Sequence, residues 1–262
     1  MKLGFIGTGN MGGALAIAAA KTKSEILLCN RTMAKAEALA QTLGCATATA
    51  QDIAATCDYV FLGVKPQMMV GVLENLRPIL QERKPLLISM AAGLTMDQIQ
   101  DMCECDLPMI RIMPNTPVAV GHGLILYCAN SLVDQDVLTD FLYDMQRAGI
   151  LEPIEERLFD AAGTVSGCGP AYMYMFIEAM ADGAVSCGVP RKQAMEYAAM
   201  TMLGAAEMVL RTGQHPGALK DAVCSPGGST IAGLKALEDG GFRATVMNCI
   251  QAATKRNGEL GK

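Results

Sequence analysis

Histidine occurs only twice in 262 residues, which excludes a His-rich metal site. The ten cysteines form no C-x-x-C pair, and the closest two, Cys103 and Cys105, have the wrong spacing for a zinc finger. No metal site is therefore expected. So many scattered thiols also argue against a disulfide framework and for a reducing compartment, the cytoplasm. Charged residues make up 18% of the chain and the net charge is −5, so a global basic footprint for nucleic acid is missing. Long clean apolar runs are missing too. Gly, Pro, Asn and His interrupt the uncharged stretch 112–133, which argues against a membrane span. The opening Met1-Lys2-Leu3-Gly4-Phe5-Ile6 leads into a strand-like run with no separate basic and apolar targeting regions. The expected partner is a small-molecule substrate, not nucleic acid or a membrane.

What is present is apolar residue, 51% of the chain, enough for a sizeable core or two modest ones. Short apolar runs at 3–6, 25–29, 59–64, 86–90, 109–112, 124–128 and 150–153 read as strands. Helical patterns lie between several of them. The 11–20 segment is Ala-rich, the 34–43 segment ends at Gly44, a C-cap residue, and Thr95-Met96-Asp97-Gln98 reads as a capping box. This alternation predicts an α/β fold, with a mostly parallel, doubly wound sheet covered by helices on both faces. After about residue 155 the period changes. Met173, Phe176, Ile177, Met180, Ala184 and Val185 recur at helical spacing over 171–187, Gly188-Val189-Pro190 stops the pattern, and a second helix is expected over 191–210. Shorter helices are expected from about 217, 230 and 242, and no strand. The expected division is a dinucleotide-binding domain over 1–155 and an all-α domain over 156–262. The helical half is apolar on several faces, which predicts packing against another subunit.

Gly7-Thr8-Gly9-Asn10-Met11-Gly12 fits G-x-G-x-x-G between an apolar run and a helix. Gly7 permits a tight turn, Gly9 lets the backbone approach a pyrophosphate, and Gly12 allows close packing of the helix. At the end of the second strand an acidic residue would bind ribose hydroxyls. Cys29-Asn30-Arg31-Thr32 stands there instead, with no carboxylate between Glu25 and Glu37. Arg31 can grip a 2′-phosphate, helped by Asn30, Thr32 and Lys35. NADPH is the expected cofactor, with NADH weaker.

Further motifs close later strands: Val64-Lys65-Pro66-Gln67, Ser89-Met90-Ala91-Ala92-Gly93 and Arg111-Ile112-Met113-Pro114-Asn115-Thr116-Pro117. Ser166-Gly167-Cys168-Gly169-Pro170 and Val223-Cys224-Ser225-Pro226-Gly227-Gly228-Ser229-Thr230 follow. In this order and spacing the set resembles the pyrroline-5-carboxylate reductase family over essentially the whole chain. The resemblance implies a Rossmann domain followed by an all-helical dimerisation domain, and a homodimer or a larger homo-oligomer built from dimers. It implies NADPH-linked reduction of L-1-pyrroline-5-carboxylate to L-proline. It also implies a substrate carboxylate held by Ser225, Gly227, Gly228, Ser229 and Thr230, with Val223 and Glu156 near the substrate. Val64, Lys65, Pro66 and Ala91 would line the cofactor, beside Gly7, Thr8, Gly9, Asn10, Met11 and Gly12. Ala50 and Ala222 depart from members that carry Asn there.

The residues themselves support that chemistry. Two glycines after a proline leave the amides of Gly227, Gly228 and Ser229 free to converge on an anion, and the Ser225 and Thr230 hydroxyls can complete the nest. Hydride transfer belongs to the cofactor, so Thr230 is expected as the catalytic residue that orients the ring nitrogen. A β-hydroxyacid dehydrogenase would want a Lys general acid where Ser166-Gly167-Cys168-Gly169-Pro170 stands. A related imine reductase and, in a different class, a non-catalytic NADPH sensor are the remaining alternatives.

Overall fold

The computed structural model describes residues 1–22 and 24–260. Its strands are β1 (Lys2–Ile6), β2 (Glu25–Cys29), β3 (Ala46–Thr47), β4 (Tyr59–Leu62), β5 (Leu86–Ser89), β6 (Met109–Met113), β7 (Gly123–Ala129) and β8 (Gly149–Pro153). They form one sheet in the order β3-β2-β1-β4-β5-β6-β7-β8, parallel throughout except where β7 runs against β6. That exception follows from its connection: only the short segment holding the 3-10 turn Thr116–Val120 joins the two strands, and a parallel return needs a long crossover. The helices among and after the strands are α1 (Asn10–Ala19), α2 (Met33–Leu43), α3 (Ala50–Thr56), α4 (Pro66–Arg83), α5 (Met96–Cys103) and α6 (Gln135–Met145).

Strand β1 is buried over Leu3–Ile6, and β4 and β5 along their whole length, as expected for strands covered on both faces. Alternate side chains feed two separate apolar layers. Leu3, Phe5, Tyr59, Phe61 and Ile88 pack with Leu15 and Phe141 on one face, where Phe5 stacks on Phe61 at 4.3 Å. Ile6, Val60, Leu62 and Leu87 pack with Ile53, Leu73, Leu76 and Ile99 on the other. The capping box predicted at Thr95 is present, and Gly44 ends α2 at a φ of 67°. A second capping box, Thr49 with Asp52, opens α3 in a stretch where the apolar pattern predicts nothing. Expected strand 59–64 stops at Leu62, because Gly63 and Val64 turn away toward α4.

Among the described residues only helices and turns follow β8. They are α7 (Phe159–Gly163), α8 (Gly169–Ser186), α9 (Arg191–Thr212), α10 (Pro216–Ala222), α11 (Ser229–Asp239) and α12 (Phe242–Leu260), with a π-helical turn Thr164–Cys168 between α7 and α8. Gly188 at a φ of 95° separates α8 from α9, and Gly213 caps α9. Two compact units result: Met1–Pro170 with Ala253–Lys262, and Ala171–Ala252. Compactness thus divides the chain inside α8, later than the change of period at about 155. Among the described residues no helix is long and apolar enough to cross a membrane.

Candidate functional site

The glycine loop sits at the carboxyl end of β1. Gly7 adopts a φ of 101°, and a Cβ on it would lie 2.6 Å from the Gly63 backbone. A Cβ on Gly12 would meet the Gly7 carbonyl oxygen at 2.1 Å, and one on Gly63 would meet the same oxygen at 2.4 Å. Three glycines therefore interlock, and none can carry a side chain without moving backbone. The motif spacing identifies Gly7 and Gly12 but not Gly63, which closes the loop from β4. Gly9 differs: nothing lies within 4 Å of a Cβ there, so the space above it is open to a ligand. It caps α1 with no side-chain hydrogen bond. The first amides of α1, from Asn10, Met11 and Gly12, thus face outward with the positive end of the helix. The Thr8 hydroxyl is buried in this loop with no hydrogen-bond partner. An open glycine, free helix amides and an orphaned hydroxyl together fit a pyrophosphate.

On one side of this loop, at the end of β2, the Asn30 Oδ1 accepts from the Arg31 amide at 3.1 Å. Arg31 is exposed, with Nη1 3.9 Å from the sulfur of Met68 in α4, and Thr32 caps α2 beside exposed Lys35. Burial pushes the Cys29 thiol up, which keeps thiolate charge away from these cations. On the other side lie the ends of β4 and β5. Val64 leads to Lys65, the cap residue of α4, and Pro66 takes the first helical position. Ala91 is buried after β5, its amide donating to the Ser89 hydroxyl at 3.3 Å.

Farther along the sheet the structure assembles polar groups of which the sequence reading gives a role only to Glu156. Arg111, buried in β6, donates from Nη1 to Glu156 Oε1 at 3.0 Å and lies over the Phe159 ring at 4.5 Å. The same Glu156 oxygen accepts from the amide of Met96, the first residue of α5, at 2.9 Å. Glu156, expected near the substrate, is thus held by the sheet. Buried Asn115 donates to the Ser166 carbonyl at 3.0 Å and accepts from the Leu124 amide at 3.0 Å. The only sequence signal for these contacts is a polar residue inside an apolar strand or at its end.

The 225–230 loop belongs to the second unit and joins α10 to α11. Val223 is exposed at its start. The Gly228 amide donates to the Ser225 carbonyl at 3.0 Å, closing a turn that Gly227 enters at a φ of 69°. A Cβ on Gly228 would lie 2.3 Å from Ser225 Oγ. Gly228 caps α11 without a side-chain bond, so the amides of Ser229, Thr230 and Ile231 lack partners within the helix. Ser225, Ser229 and Thr230 are exposed there. This arrangement can take up a carboxylate on amides and hydroxyls. His215 Nδ1 accepts from the Gly217 amide and caps α10, and the backbone amide of His122 donates to the Pro117 carbonyl in a turn. Burial pushes the Cys103 and Cys128 thiols up, to about 12 and about 11, leaving both protonated and poor nucleophiles at neutral pH.

Comparison with known proteins relates the whole chain to one group. Residues 156–260 match a family model described as pyrroline-5-carboxylate reductase dimerisation. Residues 2–93 match one described as NADP oxidoreductase, coenzyme F420-dependent. The chain is 41% identical to the pyrroline-5-carboxylate reductase of Escherichia coli (strain K12), over 100% of this chain and 98% of that one. It is also 41% identical to the reductase of Glycine max, over 98% and 95%. Among solved structures it resembles the Plasmodium falciparum pyrroline carboxylate reductase with NADP bound, with a TM-score of 0.88 and 33% identity over 100% and 98% of the two chains.

Proposed function

The chain belongs to the pyrroline-5-carboxylate reductase family, and on that premise we propose how its residues divide the work. It reduces 1-pyrroline-5-carboxylate to proline with NADPH and assembles as a homo-oligomer. When bound, the reduced nicotinamide supplies the hydride that the imine carbon accepts. Gly7, Thr8, Gly9, Asn10, Met11 and Gly12 hold the pyrophosphate. Asn30, Arg31 and Thr32 read the 2′-phosphate, while Val64, Lys65, Pro66 and Ala91 line the nicotinamide side.

Ser225, Gly227, Gly228, Ser229 and Thr230 hold the substrate carboxylate, with Val223 beside them. Thr230 orients the ring nitrogen. A protonated imine already carries the proton that becomes the amine hydrogen, so no strong acid is required of this hydroxyl. Glu156 enters on the family resemblance. Its carboxylate is engaged by Arg111 and the Met96 amide, so its part is to set local charge. The functional division lies at 155/156, supported by the family match beginning at 156. The homo-oligomer is a dimer or is built from dimers, and the ten free thiols support a cytoplasmic setting.

The observation that carries the substrate reading is the 225–230 turn, whose glycines leave the first amides of α11 open. The test is to follow NADPH oxidation with pyrroline-5-carboxylate and to identify the product. One proline per NADPH consumed is expected. NADPH bound but never oxidised would mark a sensor. Oxidation only with other imines would move the substrate assignment.

A further inference from the structure

Among the described residues of the first unit, two side-chain hydroxyls are buried without any hydrogen-bond partner, those of Thr8 and Ser166. Thr8 belongs to the pyrophosphate cradle. Ser166 has no role in the division of work above, yet its residue is only 5% exposed. Buried polar groups are almost always paired, so an orphan points to a partner that the chain does not itself supply.

The surroundings of Ser166 are pinned. It is the middle residue of the π-helical turn Thr164–Cys168, and single π turns next to helices are frequent at functional sites. On one flank the Thr164 hydroxyl donates to the Asp160 carbonyl at 2.9 Å, and accepts from Thr254 at 3.2 Å and Asn257 at 3.1 Å. At Ser166 itself the backbone carbonyl is taken by Asn115, which Leu124 fixes in turn. The backbone is tied on both sides while the hydroxyl is left over.

Its location follows from the same contacts. Asn115 lies two residues past the end of β6, and a Cβ on Gly163 would lie 3.2 Å from the Met113 side chain, the last of that strand. The π turn therefore stands at the carboxyl end of β6. The order β2-β1-β4-β5-β6 runs from Arg31, through the glycine loop, to this point. With the 2′-phosphate at Arg31 and the pyrophosphate over β1, the nicotinamide half extends toward β4, β5 and β6. We propose that Ser166 is a cofactor-binding residue whose hydroxyl pairs with the nicotinamide carboxamide, which offers both a donor and an acceptor, and so helps fix the ring face presented to the imine. This rests on the reductase reading above.

The experiment uses full-length Ser166→Ala protein, with NADPH and 2′-phospho-ADP-ribose, which lacks the nicotinamide, titrated separately. NADPH affinity should fall about three- to tenfold, the size of one neutral hydrogen bond, and the fragment should bind as to wild type. Without cofactor the variant should melt at or above the wild-type temperature, since an unpaired hydroxyl has been removed. Equal weakening of both ligands, or a lower melting temperature, would overturn the proposal by showing a structural role. Unchanged NADPH affinity with a raised KM for pyrroline-5-carboxylate would overturn it in favour of a substrate contact. A wild-type protein that does not bind NADPH would instead overturn the reductase reading.

Discussion

The α/β unit and the helical unit bury their apolar residues in opposite ways. Phe5, Phe61, Phe141, Leu73 and Leu76 vanish into the two layers of the first unit. The second unit has a buried cluster of only Ala181, Ala194 and Ala198, with Ile177, Ala184, Val185 and Val189 packed against it. Its large apolar side chains stay outside, Met175 at 73% exposure and Met200 at 65%, with Tyr174, Tyr197 and Leu203 also exposed. Burying such a side chain contributes about 1.5–3 kcal/mol, which the second unit forgoes when alone. The first unit closes its own core, whereas the second leaves its large apolar side chains exposed, within the stretch that matches the dimerisation family model. An apolar stripe in a sequence therefore reports a buried surface without saying which chain buries it.

Charging each unit's exposed surface would break the contrast most strongly. Leu203→Glu in α9 should destabilise assembly by about 3 kcal/mol or more, roughly a hundredfold in subunit affinity, and remove turnover with it. Tyr143→Glu, at an even more exposed site of the first unit, should shift stability by no more than about 0.5 kcal/mol and leave assembly intact. Sedimentation of both variants checks this. Equal dissociation by the two would erase the distinction between the units.

The glycines sharpen it next. Gly12→Val places a branched side chain against the Gly7 carbonyl and should abolish NADPH binding. Gly228→Val should leave NADPH binding near wild type but remove most turnover, because the 225–230 turn cannot close around Ser225. Cofactor titration and steady-state rates on both variants separate the two ligands. Loss of NADPH binding in folded Gly228→Val protein would show that the loop serves the cofactor.

Single contacts should cost less. Arg31→Asp removes a charge-assisted contact of about 1.5–3 kcal/mol, so NADPH should weaken roughly ten- to hundredfold while NADH changes little. If both cofactors weaken alike, Arg31 does not read the phosphate. Thr230→Ala removes one hydroxyl and spares the loop amides. It should cost at most as much, divided between KM and kcat, with NADPH affinity unchanged. Wild-type turnover in that variant would remove Thr230 from the mechanism.

The sheet is legible in the sequence because β1, β4 and β5 are buried on both faces and read as continuous apolar runs. The glycine loop is legible because its spacing is local, and the position of Arg31 just past β2 because the apolar run 25–29 marks that strand. Gly63 is not legible, since its role is a steric meeting with Gly7 that only the β1–β4 pairing creates. Nor are the Arg111–Glu156 and Asn115–Ser166 contacts, which join residues 45 and 51 apart through side chains. The antiparallel turn from β6 to β7 is likewise invisible to periodicity, which is the same for either strand direction.

The most direct test of the division between a self-contained unit and one completed by a second copy is light scattering of the wild-type protein during turnover, over a dilution series. A homo-oligomer at every concentration that shows NADPH-dependent proline formation is the predicted result, with activity falling as subunits separate. A fully active monomer would contradict it.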